Sequence, residues 1–492
     1  MVVHVEPSDL QRYGELQVTH RIYALALASL AGCAPRHDAA QPISSTHLPF
    51  PSLPAEAREI LNQLVAVDTS HGNESEALRP LAARFAAVGL ASEIIESSPG
   101  RGNLVVRIKG DGSKRPLLLL AHIDVVPVDG QPWTVPPFAA TEKDGFLWAR
   151  GVSDDKAMGA ACIAIMIDAA RNKTPRSRDL ILALTAGEET GGDAGIGHLL
   201  SKHKSLVGDA EIALNEGGGI LLDEALAKVQ AVTIGTAEKS YQSFRFSVKG
   251  KGGHSSLPPT DHDPAAILAR AIVKIADHRF RAHVLSDVGE SLRQAAGFET
   301  PPMSAALLRV AGSAPTVHEG DEAVLSRDRM YNALIRTTCV TTMLKGSPKD
   351  NVLPTSAEAT VNCRILPDET RDETQQVLIK VVDDARVEIA PDGDLHVGPS
   401  SPIDGDVRRA VEKVTHTKWP AAAVYPSMGT GATDSRHLRN AGILAYGISA
   451  AATSIAEGRR GHGAHGPDER LPTKWLGEGA LFLHDVVAEL TK

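Results

Sequence analysis

The sequence is short of several features that would each identify a class of protein. Aromatic residues make up 4% of its 492 residues, only four residues are cysteines, and acidic side chains outnumber basic ones, giving a formal charge of −9. An acidic balance argues against nucleic acid as a partner. No apolar run approaches the roughly 18 residues of a membrane-spanning helix. Few aromatics beside plentiful alanine predict helices that pack on small side chains.

The cysteines are Cys33, Cys162, Cys339 and Cys363, and none of them has the C-x-x-C spacing of a thiolate metal site. The last three lie in apolar surroundings. We therefore expect buried free thiols rather than a disulfide framework.

Residues 21–33, RIYALALASLAGC, have a basic start, an apolar run and a small-residue end, as a signal peptide has. The LAGC text resembles a bacterial lipobox, in which Cys33 would carry the lipid. Residues 1–17 are polar and acidic, so we expect an extension with Val18 as the true start. Residues 34–49 would be a flexible tether for a periplasm-facing lipoprotein. The alternative is a buried N-terminal helix in a cytoplasmic protein.

The most informative stretch is 116–129, PLLLLAHIDVVPVD. Its apolar run predicts a strand buried on both faces, and the run stops at His122 and Asp124. Residues two apart in a strand point to the same side, so both side chains emerge at its carboxyl end, where open α/β sheets keep their sites. His-x-Asp can supply a metal ligand and its orienting carboxylate. An ordinary hydrogen-bonded pair fits the pattern equally well.

Two further predicted strands end in acidic residues. The strand at 179–185 leads to Glu188 and Glu189 between glycines, and the strand at 211–214 leads to Glu216. A solvated charge run does not explain adjacent acids at the end of a buried strand. Carboxylates crowded on one buried edge repel one another unless a cation lies among them, so the pattern predicts a metal site.

Asp154 and Asp155 precede a predicted helix at 157–170. A helix N-terminus favours carboxylates, and this reason is sufficient for one of the two. We expect Asp154 to lie at the same sheet edge as His122.

Alternating strands and helices over residues 50–234 predict an α/β domain with a mixed or parallel sheet. Near residue 235 the pattern changes to one that predicts a smaller α+β domain inserted at 235–395. Within it, residues 280–330 show little periodicity and look like an insertion. Residues 396–492 would complete the first domain. The predicted elements of the inserted domain are strands at 243–248, 332–344 and 356–364 and helices at 263–276 and 370–385.

Over residues 50–490 the sequence resembles the aminoacylase/carboxypeptidase family of co-catalytic zinc metallopeptidases. Eight motifs carry the resemblance in order and spacing: AHIDVVPV, WARGVSDDK, TAGEETGG, LNEGGG, KGGHSSLPP, DNVLPTSAEATVNCRILP, GTGATDSRH and HGPDER. The insertion and the NALIRTT text are similar to vacuolar carboxypeptidase S and to secreted N-fatty-acyl amino acid hydrolases. The resemblance implies that the α/β domain is catalytic and that the inserted domain is a lid with a dimerisation role.

The resemblance also implies a role for each motif residue. Glu188 would be the general base, Asp124 would orient His122, and Asp154 would bridge two zinc ions. Cobalt or manganese would also suit these ligands. The implied ligands are His122, Asp154, Glu189, Glu216 and His465.

Two positions in the ligand set involve a choice. Many relatives have Asp-Glu where this chain has Asn215-Glu216, and asparagine is a poor zinc ligand, so the assignment falls on Glu216. His462 is the alternative to His465, which directly precedes the Gly-Pro-Asp-Glu text of the motif.

The resemblance places substrate-side residues in the lid and the Gly-rich loop. His254 would reach the active site of the partner subunit and stabilise the oxyanion. Arg364 would hold the substrate carboxylate, and Asn351 lies at another substrate-side position. Gly431 and Arg436 would bind the same carboxylate. The alternative for Arg364 is an ordinary strand-surface arginine.

Together these features predict a di-zinc metallohydrolase that cleaves the amide or peptide bond next to a free amino-acid carboxylate. Its substrate would be a small peptide or an N-acyl amino acid, as for a carboxypeptidase or an aminoacylase. A homodimer through the lid is left open. A non-catalytic, metal-stabilised binding lipoprotein is the alternative from a different class.

Overall fold

The computed structural model describes residues 51–260, 262–459 and 463–492, so Cys33 and the predicted tether lie outside the described residues. The α-helices are α1 Leu53–Val65, α2 Glu74–Ala87, α3 Lys156–Asn172, α4 Ile196–Lys202, α5 Lys204–Val207, α6 Pro264–Asp277, α7 Ser286–Ala295, α8 Met303–Ser313, α9 Glu319–Leu325, α10 Arg329–Leu334, α11 Arg371–Val382, α12 Asp406–Lys418, α13 Ser435–Asn440, α14 Ile455–Arg459 and α15 Thr473–Leu490. Two 3₁₀ helices span Glu188–Thr190 and Ala296–Phe298.

The strands are β1 Ser92–Ser98, β2 Arg101–Ile108, β3 Leu117–His122, β4 Thr141–Lys143, β5 Phe146–Trp148, β6 Leu180–Thr185, β7 Ile212–Asn215, β8 Gly219–Leu222, β9 Val229–Glu238, β10 Ser240–Lys249, β11 Gly253–His254, β12 Thr338–Lys345, β13 Val352–Leu353, β14 Ser356–Ile365, β15 Glu388–His396, β16 Ala423–Gly429, β17 Leu444–Gly447, β18 Ala452–Ser454 and β19 Arg470–Pro472.

The largest sheet has ten strands in the order β1-β2-β6-β3-β7-β17-β9-β8-β18, with β16 paired to β9. Its centre is parallel, because β3 runs parallel to both β6 and β7, and β7 to β17. Every residue of β3 and β6 is buried, which explains their unbroken apolar runs. The predicted α/β fold with a mixed, centrally parallel sheet is confirmed.

Helix α3 packs on β3 and contacts both α1 and α15. Its sequence, KAMGAACIAIMIDAARN, is buried along nearly its whole length, including Cys162. Alanine and glycine on its surface let the neighbouring helices approach closely. This is the small-residue packing that the composition predicted.

A second, antiparallel sheet has the order β12-β14-β10-β15. The chain leaves the large sheet at Glu238 and enters this one at Ser240. Helix α6 packs on β10 and β14, and α11 on β15, around a separate core that includes Phe244, Phe246 and Val361. All four strands fall within or next to residues 235–395. The arrangement agrees with an inserted α+β domain, whose boundaries stay a prediction.

The segment 280–330, which showed little periodicity, is in fact largely helical. Helices α7 to α10 share a third core with Leu292, Leu307 and Met428, and α7 packs on β16 of the large sheet. The sequence alone did not indicate these helices because each of them is short, and the segment's being an insertion stays a prediction. Periodicity becomes visible only over windows of about 11–18 residues.

The expectation of free thiols was wrong for two of the cysteines. Cys339 and Cys363 form a disulfide, and they are direct partners in the pairing of β12 with β14. Antiparallel pairing brings them opposite each other, which sequence spacing does not reveal. Cys162 is free and buried, as expected. Within the described residues, no helix has both the length and the apolar content to cross a membrane.

Candidate metal centre and substrate site

The predicted metal ligands lie at the carboxyl edge of the central strands. His122 is the last residue of β3, Glu188 and Glu189 form a 3₁₀ turn just after β6, and Glu216 follows β7. These three strands are parallel neighbours. Because the carboxyl ends of parallel strands meet at one edge of a sheet, separate stretches of the chain come together there.

His122 forms one group of candidate ligands with Asp154 and Glu216. Its Nε2 atom lies 2.9 Å from Oδ1 of Asp154 and 3.7 Å from Oε1 of Glu216. The imidazole is buried, and its Nδ1 atom lies 3.1 Å from the carbonyl oxygen of Asp124. That contact favours a proton on Nδ1, which leaves Nε2 free to bind a metal.

Asp154 also belongs to a second group, with Glu189 and His465. Nε2 of His465 lies 3.3 Å from Oδ2 of Asp154 and 3.0 Å from Oε2 of Glu189. The two oxygens of Asp154 therefore face different histidines. A carboxylate shared by two ligand groups fits a two-metal site. The alternative ligand His462 lies outside the described residues.

The charges of this cluster explain its pKa shifts. Burial lowers the pKa of His122, but hydrogen bonds with Asp124 and Asp154 outweigh burial and raise that pKa well above its ordinary value. Burial opposes ionisation of Asp154, yet its histidine contacts hold the pKa of the carboxyl below its usual range. Burial raises the pKa of Glu216. A desolvated, carboxylate-rich cluster favours a bound cation.

Asp124 fixes the turn that carries Glu188 and Glu189. Its carboxylate oxygens accept the backbone N–H groups of these two residues, each at 3.1 Å. Oδ1 of Asp124 also lies 3.5 Å from Nδ1 of His122, in line with the predicted orienting contact. Burial raises the pKa of Glu188 well above its ordinary value, and the charges of Asp434 and Glu189 add to the rise. Such a carboxylate can accept a proton near neutral pH.

Two predicted substrate arginines come from different parts of the chain. The guanidinium carbon of Arg364, on β14, lies 4.7 Å from the ring centroid of Tyr241. Arg436, in α13, donates from Nη2 to the carbonyl oxygen of Gly191. Burial lowers the pKa of Arg364; among the nearby charges, that of Arg436 lowers it further, whereas that of Glu188 raises it. The described part of the chain pairs neither guanidinium with a carboxylate.

Gly431 lies in the loop between β16 and α13, and there is open space around it. Glu238 holds this loop, because its carboxylate accepts the backbone N–H of Thr433 at 2.6 Å and the Thr433 hydroxyl at 3.0 Å. Asn215, which replaces an acidic residue of many relatives, donates from Nδ2 to the hydroxyl of Ser435 at 3.1 Å. It therefore supports the loop, while Glu216 faces His122.

His254 ends β11 and Asn351 immediately precedes β13, and these two short strands pair with each other in a sheet of their own. Both are exposed, and the N–H of Ser255 donates to the carbonyl oxygen of Asn351 at 3.2 Å. Among the described residues of this one chain, no hydrogen bond or ion pair joins either residue to the ligand cluster. Their predicted roles on the substrate side stay predictions.

Sequence reasoning gave no individual role to Asp434. Its side chain is buried, Oδ2 accepts the hydroxyl of Thr185 at 3.1 Å, and burial raises the pKa of its carboxyl to about 7. The available signal was its place at the end of the GTGATD text. It lies close enough to the cluster to raise the pKa of Glu188.

A cavity of about 450 Å³ opens beside Asp154 and Glu216. The helical segment 286–334 and strands β8 and β16 contribute to its lining. Most of the lining is apolar. The sequence did not predict this cavity, because the short helices that line it show no visible periodicity. Apolar lining residues from the helical segment are Val288, Leu292, Ala295, Phe298, Met330 and Leu334.

The fold and the two ligand groups agree with a metal-dependent hydrolase of the peptidase type. Residues 118–489 match the family model described as Peptidase family M20/M25/M40. The chain therefore belongs to this family, and the resemblance found from its motifs is confirmed. Its assignment as a hydrolytic enzyme is confirmed as well.

Two kinds of relatives are similar in sequence. An N-fatty-acyl-amino acid synthase/hydrolase of Xenopus tropicalis is 30% identical over 372 residues, which is 73% of this chain and 70% of that protein. Carboxypeptidase S of Saccharomyces cerevisiae is 31% identical over 266 residues, covering 52% of this chain and 46% of that protein.

Solved structures of the family share the fold. An M20 family metallo-carboxypeptidase of Sulfolobus solfataricus has a TM-score of 0.66 at 19% identity, covering 88% of this chain and 98% of that one. A dinuclear metal binding peptidase of the same family from Bacillus subtilis has a TM-score of 0.55 at 14% identity, with 89% and 99% covered.

Proposed function

We propose that the protein is a di-zinc amidohydrolase that cleaves the amide bond next to a free amino-acid carboxylate. The observation that carries the proposal is the sharing of Asp154 between two groups of candidate ligands. Histidine and carboxylate ligands suit zinc, and they would also accept cobalt or manganese. The orientation of His122 by Asp124 supports the same reading.

Glu188 would act as the general base. It lies beside the ligand Glu189, on a turn fixed by Asp124, and its raised pKa suits both accepting a proton and returning it to the leaving amine. When bound, two metal ions would lower the pKa of a shared water and polarise the scissile carbonyl. The residues themselves supply the orientation and the proton transfer.

Arg364 and Arg436 would hold the free carboxylate of the substrate. Both approach the region of Glu188 without a carboxylate partner among the described residues, and burial strengthens an ion pair formed there. The loop with Gly431 would offer backbone N–H groups to the same carboxylate. This arrangement would place the amide bond, rather than the carboxylate, at the metal ligands.

The cavity favours an N-acyl amino acid over a dipeptide as the substrate. It begins at Asp154 and Glu216 and continues along an apolar wall, which suits an aliphatic acyl chain. The likeness to an N-fatty-acyl-amino acid synthase/hydrolase supports this choice. The likeness to carboxypeptidase S keeps peptide hydrolysis as the second candidate.

Hydrolysis of matched substrates decides between these candidates. The panel comprises one amino acid carrying acyl groups of 2 to 18 carbons, dipeptides of the same amino acid, and the corresponding C-terminal amides. We expect kcat/KM to rise with acyl length and to fall sharply for the amides. Preference for dipeptides would select the peptidase, and equal turnover of acids and amides would refute the carboxylate site. Metal binding without hydrolysis would favour the non-catalytic alternative.

We also propose a homodimer through the second sheet. Strand β12 is an edge strand, and it exposes Val340, Met343 and Leu344. An exposed apolar edge is a template for pairing with another chain. In the dimer, His254 would reach the partner's metal site. Mixing inactive Glu188→Gln and His254→Ala variants should restore activity through mixed dimers, and no recovery in a proven mixed dimer would contradict the role of His254.

Export to the periplasmic side on a lipid attached to Cys33 remains our proposal for localisation. The Cys339–Cys363 disulfide supports it, because disulfides persist mainly in oxidising compartments. Mass analysis of the mature N-terminus tests it. An intact chain with unmodified Cys33 would rule out the anchor.

A further inference from the structure

Two motif residues that the proposed mechanism leaves unused are buried beside the metal ligands. Arg150 is 1% exposed and Glu469 is 0% exposed, and Nη1 of Arg150 donates to Oε2 of Glu469 at 2.8 Å. A buried ion pair is often no more stabilising than apolar packing of the same volume. Stability alone does not explain this pair, and its role is indicated by the other hydrogen bonds that Glu469 and Arg150 make.

Glu469 holds the loop that carries Asp154. Its Oε1 atom accepts the backbone N–H groups of Ser153 at 2.8 Å and of Asp154 at 3.2 Å. The Ser153 hydroxyl donates to the same oxygen at 2.9 Å, and Oε2 accepts the N–H of Gly151 at 3.0 Å. One carboxylate thus fixes three backbone N–H groups of a ligand-bearing loop.

Arg150 also reaches the loop that carries His465. Its Nη2 atom donates to Oε1 of Gln131 at 2.7 Å, and Nε2 of Gln131 donates to the carbonyl oxygen of His465 at 2.9 Å. The backbone of His465 has a φ of 63°, a conformation that a non-glycine residue keeps only with support from its surroundings. Gln131 provides such support.

The two loops start from neighbouring strands. Arg470 of β19 is opposite Trp148 of β5, and the N–H of Ala149 donates to the carbonyl oxygen of Glu469 at 3.2 Å. Beyond this point the backbones separate, and the side chains of Glu469, Arg150 and Gln131 continue the connection toward the metal ligands. This connection ends at Asp154 on one side and at His465 on the other.

We propose that Glu469, Arg150 and Gln131 form a brace that sets the position of the Asp154 carboxylate relative to the His465 imidazole. They are positioning residues, because they act through the ligand-bearing loops. The brace thereby sets the metal affinity of the group formed by Asp154, Glu189 and His465. This inference rests on the proposed function only in that these residues bind metal.

Two variants test the brace. Glu469→Gln keeps the side-chain volume but turns an amide NH₂ toward backbone or guanidinium donors. Gln131→Ala removes the contact with His465 and leaves Glu469 in place; because Gln131 is only half-buried, this variant should fold even if the first does not. The control is Glu56→Gln, because Glu56 is 3% exposed, pairs with Arg84 and Arg171 at 3.0 and 2.7 Å, and lies in α1.

The measurement is zinc affinity, by competition with a chromophoric chelator on full-length protein stripped of metal, below the Tm of every variant. We expect the Kd of at least one zinc ion to rise about 10- to 100-fold in both brace variants. The Kd should stay unchanged in Glu56→Gln, although its Tm falls. Wild-type affinity in both brace variants, or an equal loss in the control, would overturn the brace alone. A wild-type protein that binds no zinc would overturn the proposed function with it.

Discussion

The carboxylate of Asp124 accepts the backbone N–H of Glu188 at 3.1 Å. The strand that ends in His122 therefore also fixes the turn that carries the proposed base. The second carboxylate oxygen of Asp124 accepts the backbone N–H of Glu189 at the same distance. The two glutamates are therefore held in one orientation relative to the metal ligands. Of these two glutamates, Glu189 belongs to a candidate ligand group among the described residues and Glu188 does not. Glu188 and Glu189 are neighbours in the chain, but the first is the proposed base and the second a candidate metal ligand.

Separate variants of the two glutamates should show this difference. Glu188→Gln should lower kcat by about 10²- to 10⁴-fold, because general base catalysis is lost, while bound zinc is kept. Glu189→Gln should lower zinc content as well, because a ligand is removed. Steady-state kinetics and metal analysis of the same preparations measure both effects. Zinc loss in the first variant with zinc kept in the second would reverse the assignment.

Removal of metal should abolish hydrolysis. The purified protein is expected to hold up to two zinc ions per chain, because two groups of three ligands share Asp154. Activity should disappear after dialysis against a chelator and return when zinc is added, with elemental analysis before and after. Chelator-resistant activity in protein shown to be free of metal would contradict the mechanism.

Filling the cavity should change the preferred acyl length. Ala295 lines the cavity, and Ala295→Phe would occupy the space of the distal part of a long chain. We expect kcat/KM for long-chain N-acyl amino acids to fall about tenfold or more, with N-acetyl substrates unaffected. The control Ala323→Phe places the same side chain at an exposed position of α9. Equal losses for long and short substrates would show that the cavity does not hold the acyl chain.

The ends of the central strands could be predicted from the sequence. β3 is buried on both faces, so its apolar run stops where the chain reaches the site, at His122. The acidic residues after β6 and β7 follow the same rule. Parallel neighbours bring such ends to one edge, which is why Glu189 and Glu216 were expected together.

Other features depend on pairing that only the folded chain shows. Cys339 and Cys363 meet through the register of β12 and β14, and neither cysteine has a local signal of pairing. In the sequence, nothing distinguishes Glu469 from the other charged residues of its motif. In the folded chain, its carboxylate accepts hydrogen bonds from five donors. The cavity wall escaped prediction because α7 and α10 are too short to show periodicity.

Removing the proposed carboxylate partner should change substrate selectivity. Arg364→Met keeps most of the volume on β14 but removes the guanidinium. We expect kcat/KM for substrates with a free carboxylate to fall by at least roughly 30-fold, which corresponds to about 2 kcal/mol of lost ion pairing. Turnover of the C-terminal amides should change much less. Arg245→Met, at an exposed position of β10, is the control; a parallel loss for acids and amides in Arg364→Met would assign that arginine a structural role.

The disulfide makes a prediction about the second sheet. Cys339 and Cys363 are 24 residues apart, and closing a loop of that length lowers the entropy of the unfolded chain by an amount worth about 3–4 kcal/mol. The double substitution of both cysteines by serine should lower the free energy of unfolding of the protein by up to this amount, measured by denaturant titration. Cys162→Ser is not a matched control, because that thiol is buried in α3. Wild-type protein under reducing conditions is the better control, and its free energy of unfolding should equal that of the double variant. Alkylation of denatured, unreduced protein should leave Cys339 and Cys363 unmodified, and their modification would show that the bond does not form.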